Sequence, residues 1–62
     1  MIKITEAEFK AAQQAMRDTG SIEVHSYKKD GRTWNNFYSM KCDVCVWSSS
    51  EAGVNKEFFK AA

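Results

Sequence analysis

Few side chains in this chain of 62 residues are equipped for chemistry: Cys42 and Cys45 in a Cys-x-x-Cys spacing, a single histidine at position 25, and scattered serines and carboxylates. The cysteine pair is the one recognisable motif. A structural zinc site takes four ligands, commonly two such pairs or one pair with histidines. Cys42, Cys45 and His25 fall short of that set, so a zinc-dependent module or dimer would need Asp43 or a second copy of the chain to complete the shell. In extended backbone, at about 3.3 Å per residue, the two thiols stand roughly 10 Å apart on opposite faces and cannot bond to each other. A redox-active pair belongs at a helix N-terminus, whereas these cysteines lie in strand-like sequence. The expectation is two structural thiols, with no metal and no cofactor.

His25 fares no better as a catalytic group. A general base needs a nucleophile and an orienting partner around it, and no spacing in the chain selects one of the serines. Paired carboxylates, a phosphate-cradling glycine loop and a Walker-type lysine are absent as motifs. A chain of this size also has little room for a substrate pocket of about 300 Å³ or more. The sequence reads as a protein that is not an enzyme, with no catalytic residue.

Composition narrows the classes further. Nine basic and eight acidic residues, interleaved to a net charge of +1, fit neither a strongly basic nucleic-acid binder nor an acidic mimic. No apolar run reaches the roughly 20 residues of a membrane span, and Met1 to Phe9 lacks the pattern of a signal peptide. These features predict a soluble, cytoplasmic chain forming one domain over residues 1–62. Leucine and proline are absent, so aromatic rings, at about 150–250 Å² each, must supply much of the core. A core this thin commonly gains from association, and a homodimer is among the expected states.

The elements that must position these residues can be read in turn. Thr5 and Glu8 form a capping box, with Ile4 and Phe9 placed as a hydrophobic staple, which starts a helix over Glu6 to about Asp18. Phe9, Ala12 and Met16 make its apolar stripe, and Gly20 suits the position beyond its end. Ser21 to Lys28 reads as a strand, and Asp30-Gly31 announces a hairpin. A two-residue loop would set Ile22 and Val24 on the face opposite Trp34, Tyr38 and Met40. A three-residue loop, Lys29-Asp30-Gly31 with a G1 bulge, unites all five on one buried face, and is the expected register. The stretch from Trp34 to Trp47 is too long for one regular strand, so a bend or turn is expected near Ser39 to Asp43. Ser48 and Glu51 form a second capping box, which predicts a helix over Ser49 to Ala61 with Val54, Phe58 and Ala61 as its buried stripe.

The predicted fold class is therefore α+β: an N-terminal helix, an antiparallel hairpin or three-stranded sheet, and a C-terminal helix, with both helices on one sheet face. This order is similar to that of double-stranded RNA-binding domains, whose second helix opens with a lysine-rich segment. Here that position reads SSSEAGVNK, so the similarity is one of element order alone.

In the expected register the outer face carries Tyr27, Phe37 and Trp47, with His25, Arg32 and Lys41 around them. Such residues are typical of protein-interface hot spots. They also serve single-stranded nucleic-acid binders, where each stacked base contributes about 1–3 kcal/mol. Glu23 and Asp43 on that face, with the near-neutral charge, favour a larger protein or protein complex as partner. A short chain of this kind fits an inhibitor or regulator of phage or prophage type, such as an anti-restriction or anti-CRISPR protein, acting by occluding or bridging its target. A single-stranded nucleic-acid-binding domain is the alternative.

Overall fold

In the computed structural model, which describes residues 1–41, 46–53 and 55–61, the first helix starts where its cap requires. The Thr5 hydroxyl accepts from the Glu8 backbone N–H at 3.1 Å, and the Glu8 carboxylate accepts in return from the Thr5 N–H at 3.3 Å. Two otherwise orphaned donors are thereby satisfied. The helix, α1, runs Glu6–Asp18, with Phe9 and Met16 as its buried residues. Beyond it Gly20 adopts a φ of 71°, the left-handed conformation that glycine enters without a steric penalty.

Around this helix stand five strands: β1 (Ile2–Ile4), β2 (Glu23–Lys29), β3 (Arg32–Tyr38), β4 (Val46–Ala52) and β5 (Asn55–Lys60). They form one antiparallel sheet in the order β1-β5-β4-β3-β2. Strands β2 to β5 are a meander, and β1 adds to its far edge beside β5. The helix, between β1 and β2 in sequence, therefore connects the two edges and packs on β5 and β4.

This architecture corrects the expected helix-strands-helix fold. The segment assigned to a second helix is the hairpin of β4 and β5, so the similarity in element order to double-stranded RNA-binding domains goes with it. Two local reasons are visible. Gly53 holds a φ of 63°, which no helix interior accommodates, and Ala52 pairs across from Asn55 on either side of it. Serines are middling helix formers but fit a strand when small side chains are needed between large ones. The apparent stripe of Phe58 and Ala61 (Val54 lies outside the described residues) is a coincidence of spacing. Phe58 faces the helix side of a strand, while Phe59 faces away. Pairing with β4 also places β3 inside the sheet, so that its second side is not left as an edge.

The loop between β2 and β3 corrects the expected register. Asp30 and Gly31 have φ of 54° and 72°, the two positive values of a type I′ turn, and Lys29 pairs with Arg32. The two-residue loop forms because its twist matches that of the flanking strands, and aspartate tolerates the left-handed region. Val24 consequently pairs with Phe37. The core is the face of Phe37 and Phe58 beneath the helix, and Trp34, Tyr38 and Tyr27 occupy the other side. On the helix side Phe9 meets Phe37 edge-on with centroids 5.5 Å apart, and packs against Phe58 at 4.9 Å. Met16 is fully buried, with Phe9 and Phe58 close behind; each such side chain contributes about 1.5–3 kcal/mol. The expected turn after β3 is present: the strand ends at Tyr38, and Met40 and Lys41 lie in a turn.

Candidate functional site

Register alone assigns the side chains of the face away from the helix. From β2 come Glu23, His25, Tyr27 and Lys29; from β3, Arg32, Trp34, Asn36 and Tyr38; from β4, Ser48 and Ser50; from β5, Glu57 and Phe59. Large side chains on β3 and β5 thus flank small ones on β4. Trp34 and Phe59 meet across this trough at 5.7 Å between ring centroids, and Ser48 and Ser50 beneath are fully buried. A serine hydroxyl in such a place must be paired.

Asn36 supplies the pairing. Its carbonyl oxygen accepts from the Ser48 hydroxyl at 2.7 Å, while its amide nitrogen donates to the Tyr27 and Tyr38 hydroxyls at 3.3 and 3.2 Å. That uses both N–H groups of the amide and leaves each phenol, as acceptor, its own proton to give outward. A second group lies along the trough, where the Arg32 guanidinium donates to Ser50 at 3.3 Å and to Glu57 at 3.2 Å. Beyond Tyr38, its ring edge-on to His25 at 5.0 Å, a groove of about 280 Å³ is lined by Ser21, Glu23, His25, Tyr38 and Met40. The His25 Nε2 there lies 3.5 Å from a Glu23 carboxylate oxygen. The Trp34 indole N–H is buried and has no partner among the described residues.

No family model matches the chain, and no significant match occurs among curated proteins or solved structures. No helix among the described residues is long and apolar enough to cross a membrane.

Of the side chains expected to share one contact face, the structure brings together His25, Tyr27 and Arg32. Phe37 and Trp47 lie on the opposite face, paired across β3 and β4, with Phe37 against Phe9 under the helix. Lys41 is exposed in the turn after β3, where its backbone N–H donates to the buried Ser39 hydroxyl at 3.3 Å. Cys42, Asp43 and Cys45 lie outside the described residues, and among the described ones no group of His, Cys, Asp or Glu is arranged as metal ligands. Sequence reasoning placed Trp34 and Tyr38 in the core, and did not single out Asn36 or Phe59 for this surface. One signal groups part of this face: the two-residue Asp30-Gly31 loop puts Trp34, Asn36 and Tyr38 on the side of His25 and Tyr27, whereas nothing local marks Phe59.

Proposed function

We propose that this chain is a small, non-catalytic protein-binding module, and that the helix-free face of its sheet is the contact surface. Tyr27, Trp34 and Tyr38 are the anchors, with His25 and Arg32 at the rim. One observation carries the reading: a single buried amide, Asn36, holds two tyrosine hydroxyls at fixed positions and leaves each a free proton to donate. Aromatic side chains that are rigid before contact lose little entropy on binding, which is why tyrosine, tryptophan and arginine dominate interface hot spots. Acting on a larger protein by occlusion or bridging, such a face suits an inhibitor or regulator of phage or prophage type, of which anti-restriction and anti-CRISPR proteins are examples.

The test is capture from lysate of the organism that encodes the chain, with and without nuclease, on immobilised wild type and on a Tyr27→Ala/Tyr38→Ala variant shown to be folded. Expected is one dominant protein that survives nuclease and binds the variant at least about tenfold more weakly, as hot-spot loss implies. Retained material that disappears with nuclease, together with tryptophan quenching by oligonucleotide that falls steeply with salt, would replace this reading by the single-stranded nucleic-acid one.

A further inference from the structure

We propose that the outer edge of β2 pairs with the same edge of a second copy of the chain, antiparallel and centred on Ser26, so that two sheets join into one. This concerns the edge of the sheet; His25 and Tyr27 belong to both surfaces, but the pairing is argued from the backbone of β2 and does not rest on the contact face above.

The two-residue loop makes Lys29 and Arg32 a hydrogen-bonded pair, and such pairs alternate along an antiparallel ladder. Given the register, the backbones of Glu23, His25, Tyr27 and Lys29 bond to β3, and those of Val24, Ser26 and Lys28 point away from the sheet. β2 is the last strand of the order and is exposed on both faces along all seven residues. Its outward N–H and C=O groups have no strand beside them among the described residues, which makes this edge a template for another strand. β1, at the other edge, is only three residues long.

The sequence of β2 selects the occupant. For two copies related by a two-fold axis through the sheet, outward-pointing backbones must face each other, so the pairing centres on a single residue and keeps like faces together. Centred on Ser26, Val24 lies opposite Lys28 of the second copy and Ser26 opposite itself, each pair exchanging both of its N–H···O=C bonds. In the same register Glu23 lies opposite Lys29 of the second copy, and His25 opposite its Tyr27. Opposite charges therefore meet at both ends of the paired segment. Centring on Tyr27 instead would set His25 against Lys29, and centring on His25 would shorten the ladder and leave Lys29 unpaired. Lysines commonly guard an exposed edge. Here the stem of Lys28 covers Val24 of the second copy, a residue 54% exposed in the single chain, while its ammonium stays in water.

An interface of one strand pair is small, so the dimer is in the micromolar range or weaker. Sedimentation velocity on the full chain at low salt, from about 10 µM to 1 mM, should show a reversible monomer–dimer equilibrium. Lys29→Glu and Glu23→Lys should each weaken it about tenfold or more, and the Glu23→Lys/Lys29→Glu exchange should return it to within about threefold of wild type. Ser26→Pro removes an N–H that the chain's own ladder does not use; a circular dichroism melt should show it folded, and sedimentation should show it monomeric. A monomer at every concentration would overturn the inference. So would a dimer indifferent to charge reversal, or an exchange variant as weak as its parents.

Discussion

The two faces of this sheet are built on different principles. Beneath the helix, Phe9, Phe37 and Phe58 pack ring against ring, and cohesion comes from removing apolar surface from water, a non-directional force that tolerates small shifts. On the other side, Trp34 and Phe59 roof buried serines whose hydroxyls are bonded to Asn36 and Arg32. There the geometry is fixed by donors and acceptors that are costly to leave unpaired. A chain with so few aliphatic residues can fill one apolar layer but not two. Its second layer is held by small side chains, hydrogen bonds and rings, and what results is an ordered polar and aromatic surface.

Breaking the apolar face should have the largest effect. Phe9→Ala removes the ring that joins the helix to β3 and β5, a loss of about 3–5 kcal/mol. At about 0.05–0.15 kcal/mol per residue, that is a third or more of what the whole chain has to lose. A urea titration followed by circular dichroism should show the unfolding midpoint lowered by a third or more. A cooperative transition within about 1 kcal/mol of wild type would mean that the helix does not hold the sheet.

The hydrogen-bonded face should respond less and more locally. Asn36→Ala strands the buried Ser48 hydroxyl and releases both tyrosines, at a cost of about 1–3 kcal/mol. Asn36→Ala and Ser48→Ala combined should cost less than the sum of the single changes, with a coupling of about 1 kcal/mol. Asn36→Ala with Phe9→Leu, on opposite faces, should be additive within about 0.5 kcal/mol. Equal coupling in both cycles would erase the distinction between the faces.

What the sequence disclosed follows the same division. The capping box and apolar stripe of α1 are local features, written in residues three and four apart, and they are found where the sequence places them. In the register of β2 against β3 a local turn preference opposes a single buried face for Ile22, Val24, Trp34, Tyr38 and Met40, and the turn preference prevails. Asp30-Gly31 formed its two-residue loop, and the aromatic residues of β3 changed sides accordingly. The second helix fails because the Ser48 and Glu51 capping box and the spacing of Phe58 and Ala61 are helical signals in a segment that also suits a strand. The turn at Gly53 and the long-range pairing of β4 with β3 decide between them. The hydrogen-bond network of the contact face is illegible for this reason: Asn36 and Ser48 are unremarkable until β3 and β4 lie side by side.

The smallest expected effect sharpens the comparison within the polar face itself. Arg32 and Glu57 form an ion pair at 3.2 Å whose side chains remain 35% and 31% exposed, so water and salt screen it. Glu57→Gln keeps the shape and an acceptor oxygen while removing the charge, and Arg32 keeps its bond to Ser50. The expected loss is about 0.5–1 kcal/mol at low ionic strength, vanishing toward 1 M sodium chloride, where the Debye length is about 3 Å. The cost of Asn36→Ala should not change over the same range, because its hydrogen bonds are between neutral groups. Stability measured for both variants against salt would therefore separate a screened charge from a buried network. A Glu57→Gln loss that persists undiminished in high salt would show that Arg32 belongs to the network.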